Sequence, residues 1–230
     1  MTIGIIAVMK LELDALRAVI DNPVEETVSG ITFTRGTISG RSVVAAVSGV
    51  GKVFAALCAQ TMILRYAPDA VVNIGVAGTL TSELNLLDIA VATSVCQHDM
   101  DTSALGDPVG LISGINTTHI RTDEPLTHDL RTSALRCGLK CVSGVIASGD
   151  QFLCDRSRKQ EIRENFSAIA VEMEGASIGQ VCYVNNVPFA VLRTISDGDG
   201  AGLDYRIFAA SAARNSIQVI RDYLSKPIRD

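Results

Sequence analysis

Thr2-Ile-Gly-Ile-Ile-Ala-Val8 is a near-continuous apolar run, and its reading decides the fold. Beyond Thr2 neither face carries a polar side chain. That suits a strand buried on both sides, as at the centre of a helix-covered parallel sheet. Helical spacing follows at once, with Leu11, Ala15, Leu16 and Val19 recurring over residues 11–20. The same couple repeats along the chain. The patterns predict helices over 52–66, 127–137, 157–166, 175–185 and 204–225. They predict strands over 70–75, 88–96, 142–147, 168–171 and 189–195. Ser39-Gly40 separates strand patterns at 31–37 and 42–48, a hairpin signal. Residues 97–123 are rich in Gly, Asp, Ser and Thr and read as a long functional loop. Strands alternating with helices predict an α/β fold, with a mixed, mostly parallel central sheet flanked by helices in a single domain over 1–230.

Composition narrows the function classes. The 230 residues are 47% hydrophobic and 20% charged, with a formal net charge of -5. This suits a globular protein with a sizeable core. No strong basic run exists and Trp is absent, so neither a nucleic-acid footprint nor a base-stacking platform is expected. The apolar N-terminus lacks a basic leader and reads as a strand, and no apolar run reaches membrane-spanning length. The six Cys form no Cys-x-x-Cys pair. They read as reduced thiols, which points to a cytoplasmic protein. Cys137 and Cys141 would share a helix face, but nothing nearby completes a zinc set.

The chemistry-bearing stretches are Val171-Glu-Met-Glu-Gly175 and Ile195-Ser-Asp197. Each closes a strand-like apolar run, and ligands of α/β proteins bind at the carboxyl ends of strands. Carboxylates beside apolar runs need partners or a task. Glu172, Glu174 and Asp197 are therefore candidate site residues. Arg193, inside an apolar run, is expected to pair with one of them. Ser48-Gly-Val-Gly-Lys52 fails the phosphate-loop spacing, because Ala46 and Val53 stand where Gly and Ser or Thr are required. Phe54 breaks the dinucleotide fingerprint. His98 is expected to serve a structural hydrogen bond, and no metal site is expected. The glycines at 49, 51, 75 and 78 read as backbone turns.

These motifs occur together, in order: Ile3-Gly-Ile-Ile6 with Met9 and Glu12, Ser48-Gly-Val-Gly-Lys52, Asn73-Ile-Gly-Val-Ala-Gly78, His98-Asp99, Ser148-Gly-Asp-Gln-Phe152, Val171-Glu-Met-Glu174 and Arg193-Thr-Ile-Ser-Asp197. In that order and spacing the chain resembles the bacterial 5′-methylthioadenosine/S-adenosylhomocysteine nucleosidases, within the purine nucleoside phosphorylase superfamily. The resemblance implies a cofactor-free, metal-free N-glycosidic hydrolase acting on a small adenine nucleoside in methionine salvage. It implies that Asp197 is the general acid toward adenine N7 and Glu12 the base for the attacking water, with Arg193 nearby. Glu174 would hold the ribose hydroxyls above Met173, with Glu172 and Ser196 beside the site. Phe152 would stack on adenine and the backbone of Leu153 read its edge. Met9 and Val50 would line the 5′ pocket, with Val76, Ala77 and Gly78 completing the wall. A homodimer is implied too, in which Thr102 and Leu105 reach the partner's pocket. Val76 stands where many relatives have Ser, and Leu105 where many have an aromatic residue. Val76 implies the loss of a polar contact to the sugar or the water, with activity surviving and the preference altered, and Leu105 implies a reshaped 5′-substituent pocket. A phosphate-dependent phosphorylase, or hydrolysis of another 6-amino nucleoside such as aminodeoxyfutalosine, are the alternatives.

Overall fold

The computed structural model describes residues 1–198 and 202–226. In chain order the elements are β1 (Thr2–Ala7), α1 (Lys10–Arg17), β2 (Asp21–Val28), β3 (Ile31–Ile38), β4 (Arg41–Val47), α2 (Lys52–Tyr66), β5 (Ala70–Thr79) and β6 (Ile89–Gln97). A short 3-10 turn (Ser103–Leu105) follows, then β7 (Ile120–Arg121), α3 (Glu124–Arg136), β8 (Cys141–Ser148), α4 (Arg156–Phe166), β9 (Ala168–Glu172), α5 (Gly175–Val184), β10 (Phe189–Asp197) and α6 (Gly202–Leu224). The fold is mixed α/β, as the alternating patterns predict.

The strands run in the order β10-β6-β8-β9-β5-β1-β4-β3-β2, and β10 also pairs with β5. The strands β10, β6, β8, β9 and β5 therefore close into a ring, and β1 to β4 extend from it as an open sheet. Pairing is parallel along β4-β1-β5-β10 and along β6-β8-β9. Antiparallel pairing joins the two blocks at β10-β6 and β5-β9 and forms the outer hairpins.

β1 shows why its sequence has no polar face. Ile6 packs with Cys58 and Met62 of α2 and Ile178 of α5 on one side of the sheet. Ile3 and Ile5 pack with Leu16 of α1, Leu130 of α3 and Ile220 of α6 on the other. Every inward side chain meets a helix, so both faces are removed from water.

Three expectations are corrected. The segment 21–28, which carried no strand signal, is β2: an outer strand whose side chains are almost all exposed, held by backbone pairing to β3. Residues 75–78 are not a turn. They continue β5 to Thr79, and neither glycine has positive φ. Cys137 caps α3 whereas Cys141 opens β8, so the two share no helix face.

Candidate active site

The carboxyl ends of β5, β9 and β10, the start of α1, the turn before α2 and the loop after β8 surround a cavity of about 320 Å³. That volume is at the lower end of small-ligand pockets. Its wall includes Met9, Val50, Val76, Ala77, Gly78, Phe152, Leu153, Met173 and Ser196, all expected from the sequence. The carboxylates Glu172, Glu174 and Asp197 border it. Glu12 and Arg193 do not line the cavity; both are wholly buried behind its wall.

Arg193 and Glu172 organise the floor. Arg193 Nε donates to Glu172 Oε2 at 3.1 Å, and its Nη2 donates to the same oxygen and to Asn73 Oδ1. Ser148 donates its hydroxyl to Glu172 Oε1. The backbone N–H groups of Glu174 and Gly175 donate to Glu172 Oε2 at 3.1 and 2.7 Å. Glu172 thus satisfies orphan donors at the start of α5, where a negative charge also complements the helix dipole. The expected pairing of Arg193 with a carboxylate is met by Glu172.

Glu174, two residues on, is placed otherwise. Its Oε1 accepts from Gly51 N at 2.9 Å, and its other oxygen lies 3.9 Å from Arg193. Burial first, then the neighbouring Glu172 charge, pushes its carboxyl up to about 7. Gly51 has φ 98°, a left-handed conformation that favours glycine. So the turn reading holds for Gly49 and Gly51 but fails for Gly75 and Gly78.

Those two strand glycines exist for close approach. Gly75 pairs with Arg193 and Gly78 with Asp197 across β5 and β10. A Cβ on Gly75 would stand 3.0 Å from the Arg193 guanidinium, and one on Gly78 only 2.6 Å from Asp197 Oδ2. The β10 register shifts between Ile195 and Asp197. Such a bulge re-aims the side chain that follows it. Ser196 Oγ donates to Asp197 Oδ1 at 3.0 Å.

Glu12 sits in the first turn of α1. Its Oε2 accepts from Val8 N and Met9 N at 3.0 and 3.1 Å, while its buried Oε1 has no hydrogen-bond partner among the described residues. Burial raises its pKa above the ordinary carboxylate value, against the two backbone donors and Arg193. Tyr205 of α6 ties the corner together. Its phenol donates to Met9 Sδ, and its ring meets Phe152 edge-on, with centroids 5.8 Å apart. Burial first, and then the charges of Glu12, Glu174 and Asp197, push that phenol up. Glu174 and Asp197 thus border the cavity, and Glu12 lies buried behind its wall beside Met9.

Comparisons with known proteins show which family the chain is similar to. A family model described as the phosphorylase superfamily matches residues 2–225. A 5′-methylthioadenosine/S-adenosylhomocysteine nucleosidase of Anoxybacillus flavithermus is 39% identical over 225 residues, covering 96% of this chain and 97% of the relative. The structure of the Neisseria meningitidis nucleosidase of that name, in complex with methylthio-immucillin-A, superposes with a TM-score of 0.93 at 31% identity, covering 97% of this chain and 98% of that one. A Helicobacter pylori structure described as futalosine hydrolase gives a TM-score of 0.91 at 35% identity, covering 96% of each chain.

The chain belongs to the 5′-methylthioadenosine/S-adenosylhomocysteine nucleosidase family.

Within this family member, Thr102 and Leu105 stand apart from the cavity of their own chain, and Leu105 is 83% exposed. His98 departs from expectation: it is buried, but neither ring nitrogen finds a hydrogen-bond partner among the described residues, and burial lowers its pKa. Sequence reasoning missed Val8, Gln151, Val171 and Tyr205 as cavity residues. Val8 and Val171 adjoin Met9 and Glu172, and Gln151 adjoins Phe152, so strand-end position could have found them. Tyr205 had no such signal, because α6 reaches the cavity only through the tertiary fold.

Proposed function

We propose that this protein hydrolyses the N-glycosidic bond of 5′-methylthioadenosine and S-adenosylhomocysteine, releasing adenine and the 5-thioribose product. Glu174 and Asp197 on the wall of a cavity that carries Phe152, with Glu12 buried directly behind Met9 of that wall, support this reading most directly. Cleaving C1′–N9 passes through an oxocarbenium-like state, which calls for an acid at the leaving group, a base at the water and negative charge near the sugar.

Asp197 donates its proton to adenine N7, and the C1′–N9 electron pair leaves with the base. Glu12, through the oxygen that has no hydrogen-bond partner among the described residues, takes a proton from the water whose oxygen bonds to C1′. Glu174 in its ionised form accepts from the ribose hydroxyls. Arg193 and Glu172 hold the floor on which the other groups stand. Phe152 stacks on adenine, the Leu153 backbone reads its edge, and Met9 and Val50 face the 5′ substituent.

Hydrolysis is favoured over phosphorolysis by the cavity wall. Among the described residues it contains no Lys or Arg, whereas a bound phosphate calls for cationic donors. Lys52 is already engaged, by Asp99 at 2.6 Å and by Gln97. The test is adenine release from methylthioadenosine in phosphate-free buffer. A requirement for phosphate, with a sugar 1-phosphate as product, would overturn the reading. The futalosine hydrolase likeness favours one second reading, a 6-amino nucleoside such as aminodeoxyfutalosine, which kcat/KM across the three substrates decides.

The reading extends to a cytoplasmic homodimer in methionine salvage, without metal or cofactor. Val53, Phe54, Leu57 and Leu64 of α2, with Tyr183 and Val184 of α5, are large apolar side chains at least half exposed. α2 and α5 pack side by side, and an exposed apolar face of that kind supports self-association. Thr102 and Leu105 would then enter the partner's pocket. No helix among the described residues is long and apolar enough to cross a membrane.

A further inference from the structure

α4 turns a polar helix against the fold, and its buried residues are Lys159, Ile162 and Phe166. This spacing is one inward stripe, and its first position, where an apolar side chain would pack, holds a lysine. Burying an ammonium is costly unless it is well partnered. Among the described residues Lys159 has two partners, both at the end of β10. Its Nζ donates to the Gly198 carbonyl at 2.8 Å and lies 3.6 Å from Asp197 Oδ2. Its far side borders a polar cleft shared with Arg156 and Arg163.

We propose that Lys159 is a positioning residue for Asp197. The ammonium and the Ser196 hydroxyl hold opposite oxygens of one carboxyl, so its orientation toward the cavity is fixed from both sides. The same nitrogen tethers the chain just beyond the acid through Gly198. When Asp197 gives up its proton it becomes a carboxylate in a water-poor pocket, and a cation at this distance stabilises that form. The other ionisable groups around this corner are the Tyr205 phenol on α6, Glu12 on α1, Glu174 at the start of α5 and the Glu172–Arg193 pair of β9 and β10, while Arg156 and Arg163 of α4 share the cleft on the far side of Lys159. Lys159 forms an ion pair with Asp197 directly. This inference rests on Asp197 being the acid of the proposed hydrolysis.

The test is the pH profile of kcat/KM for adenine release, whose alkaline limb reports the acid in the free enzyme. In Lys159→Met that limb should move upward by about one pH unit, and kcat should fall roughly tenfold. Lys159→Arg should restore the limb. Lys159→Gln keeps a donor for the Gly198 carbonyl while removing the charge, and should move the limb as Met does. It also supplies the readout if Lys159→Met does not fold. A limb that stays in place while activity drops would mean a packing role only and overturn the proposal. Wild-type protein that releases no adenine would overturn the hydrolase reading and this inference with it.

Discussion

Arg193 and Glu172 form an ion pair with both side chains withdrawn from solvent, braced by Asn73, Ser148 and the first N–H groups of α5. Removing one member of such a pair leaves the other charge buried without its counterpart. Arg193→Met should therefore cost about 3–5 kcal/mol of stability, read from the urea midpoint. Adding Glu172→Gln should recover part of the loss, because the stranded charge is then gone. Strictly additive losses would show that the two residues do not act as a pair.

Gly78→Ala tests the close approach at β5. The added methyl would fall 2.6 Å from Asp197 Oδ2, so the carboxyl must move. The expected result is a loss of kcat on the order of 10²-fold, since small misplacements of a catalytic group cost that much. The melting temperature should stay near wild type. Unchanged kcat would mean that Asp197 tolerates displacement.

Asp197→Asn removes the proton donor and preserves shape. Turnover should fall by roughly 10²–10⁴-fold, the usual share of general acid catalysis, while a nucleoside analogue still binds by calorimetry. Equal rates of adenine release from wild type and variant would remove Asp197 from the mechanism.

Glu174 links stability to pH. Its folded-state pKa of about 7 lies above the ordinary glutamate value of 4.5, so between the two the folded protein holds a proton that the unfolded chain has released. Folding stability from this group is complete below about pH 4.5 and declines as pH rises toward 7. The loss is on the order of 3 kcal/mol, at roughly 1.4 kcal/mol per pH unit. Glu174→Gln should thus melt higher than wild type at pH 8 and no higher at pH 4. In the wild type, nucleoside affinity should weaken as pH falls below about 7, because the neutral carboxyl is a poorer acceptor. Equal melting differences at both pH values would contradict the shift.

The α2 face provides a test of assembly. Leu57→Glu places a charge in the exposed apolar strip and should convert a dimer to monomer by sedimentation, with a rise in KM if Thr102 and Leu105 serve the partner's pocket. A wild type that sediments as a monomer would exclude the dimer.

Much of this was legible along the chain, for local reasons. The apolar run at 2–8 and the helical spacing after it depend on neighbours a few residues apart, so the alternation of elements emerged from periodicity. Glu174 and Asp197 stood out because acidic residues closing apolar runs are conspicuous one by one. β2 was not legible: its exposed side chains carry no alternation, and the strand exists through backbone pairing with β3.

Residue order and period therefore determined the α/β architecture and the candidate carboxylates. Only the tertiary structure decided their division of labour. Glu172 and Glu174 differ by two residues in sequence, yet one faces Arg193 and the start of α5 while the other faces Gly51. Gly75 and Gly78 could be read as turn residues until β10 was laid against β5 and brought Arg193 and Asp197 onto them. Tyr205 and Lys159 reach the site from helices whose sequence shows no chemistry. The physical reason is common to all four cases: a side chain's partners and dielectric surroundings are set by segments far away in the chain, which a local pattern cannot carry.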